Sequence, residues 1–392
     1  MYSWEQRKLS DILVERNEQQ VETNEYPLMS FVQGHGVIPK GERYDRSFLV
    51  LDQSKKYKRT ELGDFIYSSN NLETGSIGIN KTGKAVISPV YSIFYGVSIG
   101  DSQFIGIMSL LPRFIAKMIR FRQGVVYGQW RIHEKDFLDI SILIPSEAER
   151  TKITKLILSI EELITLHQRK LNNLKLKKKA LLQKLFPKNG ERYPELRFPG
   201  FTDAWEQRKL DDIAKIKTGG GTPKTTNLEY WSGDIPWIQS SDLVEGDVVH
   251  VNIKKFINNN ALKNSAAKLI SRDSIALVTR VGVGKVAVIN QDFTTSQDFL
   301  SLSGFDGNDI KFIAYQLFRL MQENAKVLQG TSIKGITKTD LIEQSIAIPN
   351  SIKEQSLIAN ILSQTDSIIT LHQRKLDHLQ LQKKALLQQM FI

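Results

Sequence analysis

The side chains in this sequence that could act on a ligand are mainly cations, amides and hydroxyls, and they gather in short polar segments. In the first half of the chain these segments lie at 55–59, 68–71 and 128–131. Lys and Arg bind phosphates, Arg can also hold guanine through two hydrogen bonds, and Asn and Gln suit adenine. The candidate DNA-contacting residues of this half are Lys55, Lys56, Tyr57, Lys58, Arg59, Ser69, Asn70, Gln129, Trp130 and Arg131.

The second half carries a different polar set that begins with a glycine-rich loop. Residues 218–225 read Thr-Gly-Gly-Gly-Thr-Pro-Lys-Thr, a loop whose backbone N–H groups could approach an anion closely. Each polar residue alone suits an ordinary surface loop, so the hypothesis depends on the whole set. Its candidate DNA-contacting residues are Gly220, Thr222, Lys224, Thr225, Ser240, Ser241, Arg280, Gln297 and Lys334.

The sequence lacks the motifs of the common enzyme classes. A phosphate-binding P-loop fails because Gly284-Lys285 is followed by Val286 and because Thr279 stands where the first glycine is required. There is no cysteine, the six histidines form no H-x-x-x-H pair, and no Asn-Pro-Pro-Tyr or Asp-Pro-Pro-Tyr methyltransferase motif is present. We therefore predict no catalytic residue and no metal site, and we interpret 281–285 as a tight connection between strands.

Composition limits the class of protein. The chain has 392 residues, 41% of them hydrophobic, which suits two or three globular domains. Its 53 Lys and Arg against 42 Asp and Glu leave a net charge of +11, and such an excess attracts polyanions, above all nucleic acid. The absence of cysteine suits a reducing cytoplasm, and no segment approaches the ~20 apolar residues of a membrane helix. A cytoplasmic location is predicted.

An internal repeat organises the chain. The hexapeptide at 4–9 recurs at 205–210, and residues 166–186 match 371–391 at 15 of 21 positions. The segments between these blocks differ in sequence although they are similar in length. A frame that is kept while its contents change indicates a scaffold that presents two different surfaces.

The repeated blocks predict two long helices. Their apolar positions recur at steps of three and four, the pattern of a coiled coil, without internal Pro or Gly. Each seam holds a histidine and a lysine at equivalent places, namely His167 and Lys178, then His372 and Lys383. Register control is one explanation and a partner-docking site is the other. We expect the helices to pack antiparallel and the adjacent acids Glu161-Glu162 to face solvent.

The variable segments read as mixed modules of strands and helices. Short apolar runs predict strands at 64–67, 75–79, 85–88 and 93–95, then a helix over 103–121 that Pro112 could divide. The second variable segment repeats this order, with predicted strands at 234–238, 273–278 and 285–289 and a helix at 310–329. The predicted fold class is α+β, with two globular α/β domains separated by a pair of long antiparallel coiled-coil helices and related by a pseudo-twofold repeat.

This organisation resembles the specificity subunit of type I restriction–modification systems. Besides the alternation of variable and repeated segments, the resemblance rests on Pro-Glu-Leu-Arg-Phe-Pro-Gly-Phe at 194–201 and on the motifs at 205–210, 220–223, 230–231, 235–238, 371–376 and 383–388. Two departures are visible. The first half begins at Trp4 without the Pro-Glu-Leu-Arg-Phe lead, and it lacks the Gly-Gly-Thr-Pro loop.

The resemblance implies a division into five segments: target recognition domain 1 at 1–145, a central spacer helix at 146–187, a linker at 188–204, target recognition domain 2 at 205–349 and a distal spacer helix at 350–392. It implies that the chain is a non-catalytic binder of double-stranded DNA that reads a bipartite, asymmetric site. It also implies two modification subunits and further restriction subunits as partners. No cofactor is expected on this chain, whereas S-adenosylmethionine, ATP and Mg are expected on the partners.

Two other functions remain open at this point. A coiled-coil adaptor would bridge proteins without binding DNA, and it would show no salt-sensitive affinity for duplex. A stand-alone DNA-modifying enzyme would transfer methyl groups by itself, although its motifs are missing.

Overall fold

Both halves of the repeat mix strands and helices, as their alternating apolar runs predict. The computed structural model describes residues 4–32, 35–39, 54–73, 76–98, 100–125, 129–188, 190–329 and 335–391. The chain divides into unit 1, which comprises residues 1–165 and 378–392, and unit 2, which comprises 166–377. Among the described residues, no helix is both long enough and apolar enough to span a bilayer.

Unit 1 contains thirteen described strands: β1 (Glu5–Lys8), β2 (Leu13–Glu15), β3 (Gln19–Gln20), β4 (Met29–Val32), β5 (Gly36–Pro39), β6 (Tyr57–Thr60), β7 (Phe65–Tyr67), β8 (Ile77–Ile79), β9 (Ala85–Ile87), β10 (Ser92–Gly96), β11 (Gln123–Val125), β12 (Gln129–Arg131) and β13 (Ser141–Ile144). Its helices are α1 (Asp101–Met108), α2 (Pro112–Ile119) and α3 (Glu134–Leu138). The first long helix, α4 (Glu147–Lys184), begins in this unit. The predicted helix over 103–121 is divided because Pro112 starts a new helix.

Unit 2 contains the strands β14 (Glu206–Lys209), β15 (Ile216–Gly219), β16 (Ile235–Ile238), β17 (Lys255–Ile257), β18 (Ser274–Val278), β19 (Val286–Ile289), β20 (Thr294–Thr295), β21 (Phe299–Ser303) and β22 (Ser345–Ile348). Its helices are α5 (Leu210–Ile213), α6 (Asn259–Lys263), α7 (Ile310–Gln329) and α8 (Lys338–Ile342). The second long helix, α9 (Ile352–Met390), runs through this unit and ends in unit 1. The strands predicted at 234–238, 273–278 and 285–289 and the helix at 310–329 are confirmed.

The sheets of the two units follow one plan. Unit 1 has a four-stranded antiparallel sheet in the order β2-β10-β7-β8, and unit 2 has one in the order β15-β21-β18-β19. The first copy of the repeated hexapeptide contains β1, and the second copy contains β14. Each of these strands pairs with the strand that precedes a long helix. Glu5 lies opposite Ile144, and Glu206 lies opposite Ile348. Because β18 and β19 pair antiparallel, residues 281–285 form the predicted tight connection.

The long helices pack antiparallel, as predicted. Within unit 1, Glu161 of α4 contacts Lys383 of α9 at 2.8 Å. Within unit 2, His167 faces His372 and Lys178 faces Asp366. The position on α9 falls as the position on α4 rises, which is possible only for antiparallel helices. The expectation that Glu161 faces solvent is wrong, because Lys383 and Lys81 both contact its carboxylate.

Candidate nucleic-acid interface

An aromatic cluster anchors each variable part to the end of a long helix. In unit 2, Trp205 is fully buried and packs edge-on against Phe186 and Phe312, with ring centroids 6.1 and 5.6 Å apart. In unit 1, Trp4 meets Phe391 and Phe104 in the same way, at 5.7 and 6.1 Å. The repeated tryptophan and the repeated terminal phenylalanine therefore form the same contact in both units.

In unit 1, the structure brings three of the predicted polar segments into one cleft. The cleft has a volume of about 470 Å³. Five of the predicted residues line it, namely Lys58, Ser69, Asn70, Trp130 and Arg131. The indole of Trp130 is 49% exposed, which leaves a ring face open to a ligand. Aromatic and cationic side chains around a polar cleft suit a nucleic acid.

Hydrogen bonds fix the walls of this cleft. The backbone N–H of Trp130 donates to Oδ1 of Asn70 at 2.6 Å, and the N–H of Ile132 donates to Oγ of Ser69 at 2.9 Å. These bonds join the segment after β7 to β12. The bond from Trp130 also orients the side-chain amide of Asn70 at the wall of the cleft.

Two cations of the first segment are placed differently from the expectation. Lys58 is only 7% exposed, and its ammonium lies 3.7 Å from Glu134. Arg59 pairs with Glu18 and Glu61. Both charges are already compensated inside the protein, so neither is a free ligand for phosphate. The reason is tertiary, since alternate side chains of a strand face opposite sides: Lys58 turns inward on β6, while Arg59 lies on the other face beside Glu18 and Glu61.

The remaining predicted residues of this half are Lys55, Lys56, Tyr57, Gln129 and Arg131. Lys55 and Lys56 are exposed, and the Lys55 ammonium stands 5.7 Å from the centre of the half-buried Tyr57 ring. Gln129 belongs to β12 by its backbone. Arg131 is exposed and lies 3.6 Å from Glu134.

Other polar residues of this cleft were not predicted. Glu15, Asn17, Gln19, Ser92 and Glu134 also line it. Glu15, Asn17 and Gln19 alternate along an extended segment, and alternate residues of an extended chain share a face. This alternation of polar residues is visible in the sequence and could have predicted that Glu15, Asn17 and Gln19 share a face. Glu134 comes from α3, and no local pattern links it to the cleft.

In unit 2, several predicted residues meet along one polar edge. The loop after β15 contacts the segment after β20, where Thr222 Oγ1 donates to Gln297. The segment after β16 joins the same edge, because Ser296 N–H donates to the carbonyl of Ile238 at 2.9 Å, next to Ser240. A side chain at Gly282 would come within 2.7 Å of Ser240 Oγ, so this turn packs closely against it.

Two glycines of the loop at 218–225 use their backbone N–H groups within the protein, and the anion-binding role of the loop stays a prediction. The N–H of Gly221 donates to Thr295 at 2.9 Å and the N–H of Gly220 points to Phe299 at 3.4 Å. A Cβ on Gly220 would lie 1.9 Å from the Ser296 carbonyl, and one on Gly221 would lie 2.0 Å from that of Ala266. The glycines permit close packing of the loop, and this role accounts for them.

The predicted cations of unit 2 are more accessible than Lys58 and Arg59 of unit 1. Lys224, Thr225, Ser241 and Arg280 are exposed. Arg280 makes no ion pair or side-chain hydrogen bond with any residue in the described ranges. Lys255, which was not predicted, lies above the rings of Trp231 and Trp237 at 5.7 and 5.4 Å. Lys334 lies outside the described residues.

Carboxylates and imidazoles do not gather as a metal site would require. Within the described ranges, no three Asp, Glu or His side chains converge on one point. The polar surfaces of the two units offer hydrogen bonds and positive charge to a ligand.

Comparison with known proteins finds a matching family model over part of the chain. Residues 202–381 match the type I restriction modification DNA specificity domain. The chain is similar to specificity subunits of type I restriction enzymes. It is 34% identical over 172 residues to the type I restriction enzyme MjaIX specificity subunit of Methanocaldococcus jannaschii, a match that covers 42% of this chain and 38% of that protein.

Two further comparisons agree with this family. The specificity subunit of the type I restriction enzyme EcoR124I/EcoR124II of Escherichia coli is 31% identical over 170 residues, which is 42% of this chain and 41% of that protein. The S subunit of the type I restriction–modification system of M. genitalium has the same fold, with a TM-score of 0.67 over 100% of this chain and 96% of that one at 12% identity. The chain thus matches about two fifths of the length of these two sequence relatives and the full length of the structural one.

Proposed function

We propose that this chain is the DNA-reading subunit of a type I restriction–modification complex. Residues 14–143 and 214–347 each read one half of an interrupted, asymmetric site in double-stranded DNA. The observation that carries this proposal is the contrast between repeated anchors and unlike polar surfaces. Trp4 and Trp205 make the same contacts, while a cleft with carboxylates in unit 1 corresponds to a glycine-rich edge in unit 2.

The charge distribution supports DNA as the ligand. The net charge is +11, and Lys55, Lys56 and Arg131 in unit 1 and Lys224 and Arg280 in unit 2 are exposed. Exposed cations hold the phosphates and set the orientation on the duplex, while side chains in the cleft and along the edge address the bases.

The chemistry of the complex belongs to its partners in this proposal. The chain is a non-catalytic scaffold for two modification subunits, which bind S-adenosylmethionine, and for restriction subunits, which use ATP and Mg. The long helices set the number of base pairs between the half-sites. A cytoplasmic location follows from the absence of cysteine and stays a prediction.

A domain exchange tests the proposal. Residues 14–143 are replaced by the corresponding variable segment of another specificity subunit, and methylated adenines are sequenced in a host that carries the modification subunits. We expect one half of the methylated motif to change and the other half to remain. The reciprocal exchange of 214–347 is the control and should change the opposite half. A change of both halves in either chimera, or no defined motif for the unaltered chain, would contradict the proposal.

A further inference from the structure

The cleft of unit 1 contains carboxylates, which is unusual for a surface that meets DNA. Glu15 and Glu134 both line it, beside Lys58 and Arg131. A phosphate placed among these acids would meet two negative charges at short range, and like charges repel. The floor of the cleft is therefore unsuited to the DNA backbone and suited to neutral groups that offer hydrogen bonds, such as base edges.

Glu134 is already occupied by the protein. Ser92 Oγ donates to it at 2.9 Å, and Lys58 and Arg131 lie at 3.7 and 3.6 Å. Although burial acts in the opposite direction, hydrogen bonds from its own backbone N–H and from Ser92 lower the pKa of Glu134. Glu134 thus connects Ser92, Lys58 and Arg131 within the cleft, and these contacts favour its anionic form.

Glu15 differs because its carboxylate has no hydrogen bond or ion pair with any residue in the described ranges. It lies at the end of β2, half buried, with Asn17 and Gln19 on the same face. Burial and the neighbouring Glu134 raise the pKa of Glu15, which shows that its carboxylate is poorly compensated where it stands. Among the described residues, no group donates a hydrogen bond to the carboxylate of Glu15.

We propose that Glu15 is a specificity-determining residue that accepts a hydrogen bond from the exocyclic amino group of one base in the half-site read by unit 1. The inference rests on the proposed function. In the major groove only cytosine N4 and adenine N6 offer such a donor, while guanine and thymine present acceptors at the equivalent places. Glu15 therefore selects a base pair with an amino group at that position of the groove and rejects one that presents a carbonyl oxygen.

The neighbouring groups complete this reading surface. The Trp130 N–H orients the side-chain amide of Asn70 at the wall of the cleft. Asn17 and Gln19 offer both donors and acceptors next to Glu15. The exposed Trp130 indole gives an apolar face for a base or a thymine methyl group. Glu15 is one side chain among these mixed groups and can reach one base edge, so the effect of its substitution should be confined to one base-pair position.

The test compares Glu15→Gln with a matched control. Glu162→Gln is the same substitution at an exposed position of α4 in the same unit. Each full chain, produced with its modification subunits, selects duplexes from a randomised pool, and the bound DNA is sequenced. Gln keeps the size of Glu and adds a donor, so we expect preference at one base pair of one half-site to change on the order of ten-fold. Glu15→Ala should lose preference at the same position, and circular dichroism melting checks that each variant folds.

Each outcome separates the inference from the proposed function. A split motif for the unaltered chain, with a change at a single base pair for both Glu15 variants and none for Glu162→Gln, supports the inference. An unchanged motif, or weaker binding spread evenly over all sequences, overturns the inference and leaves the proposed function in place. If the unaltered chain selects no motif, both the proposed function and the inference fail.

Discussion

Unit 2 clamps the buried carboxylate of Glu354 with two hydrogen bonds from Arg197, at 2.8 and 2.9 Å, and a third from Trp205 at 3.3 Å. The equivalent Glu149 of unit 1 receives only the hydrogen bond from Trp4, at 3.3 Å, among the residues that the structure describes. The difference follows from the segment at 194–201, which supplies Arg197 to unit 2. The same anchor therefore exists in a reinforced form and a simpler form, and the two can be compared within one chain.

The seam of the long helices shows a second contrast. In unit 2, Lys178 and Asp366 are 5% and 1% exposed, and Tyr315 donates to Asp366 at 2.7 Å. In unit 1, the equivalent pair of Lys383 and Glu161 is partly exposed, and Lys81 provides a second cation. Equivalent positions in the repeat thus carry the same pair of charges with different degrees of desolvation. Removal of the lysine should therefore lower the free energy of unfolding by different amounts in the two units.

Removal of the seam lysines should give the largest effect. Lys178→Met leaves Asp366 buried without its cation, and breaking a buried pair costs about 3 kcal/mol. Lys383→Met should cost less than about 1 kcal/mol because Glu161 keeps Lys81 and some solvent. Urea unfolding of both variants measures the difference, and Lys179→Met, at an exposed position next to Lys178, is the control. Equal losses for Lys178→Met and Lys383→Met would show that burial does not distinguish the two pairs.

The sequence was sufficient for the frame because the frame depends on local periodicity. The steps of three and four residues placed Ile157, Leu171 and Leu185 in the seam, and all three are buried. The strands around 275 and 287 were predicted from short runs of Val, Ile and Ala for the same reason. The internal repeat of the helical segments also let the antiparallel pairing be inferred without structural information.

The candidate site was predicted less completely because it depends on contacts between distant segments. Glu134 and Asp366 come from elements far from Lys58 and Lys178 in the sequence, so neither partner could be assigned from local pattern. The glycines at 220 and 221 suggested an anion site, but close approach to Ser296 and Ala266 explains them. Residue type indicated which side chains could bind DNA, while tertiary structure decided which of them are free.

Removal of the two hydrogen bonds from Arg197 to Glu354 should have an intermediate effect on the free energy of unfolding. Arg197→Ala leaves the carboxylate of Glu354, in a residue that is 1% exposed, with Trp205 as its one remaining side-chain donor among the described residues, at a cost of about 2 kcal/mol. Lys184→Ala is a matched control, because it breaks the exposed Lys184–Glu195 pair of the same region and should cost about 0.5 kcal/mol or less. Hydrogen exchange of unit 2 amides locates the loss. If Arg197→Ala were no more costly than Lys184→Ala, the clamp would not distinguish unit 2 from unit 1.

The histidine pair should give the smallest effect, and it concerns a place where two equivalent positions of the repeat are in contact. His167 Nδ1 lies 2.8 Å from His372 Nδ1, a hydrogen bond that needs a proton on one nitrogen and a lone pair on the other. Burial and then the nearby His372, Lys375 and Lys170 lower the pKa of His167. Its neutral form is thus favoured in the folded state, so the pair stabilises fully above about pH 6.5, the unfolded pKa, and stability falls as the pH drops below that value.

We therefore expect the free energy of unfolding to fall by about 1 kcal/mol or less between pH 7.5 and 5.5 through this pair, since it represents one hydrogen bond. His167→Leu removes the titrating group from the seam and should reduce the pH dependence of unfolding in urea. His378→Leu is the control, because His378 is exposed on α9 and should leave the dependence unchanged. If both variants kept the full dependence, other groups would titrate on unfolding, and the histidine contact would serve only to fill the seam where the equivalent positions of the repeat meet.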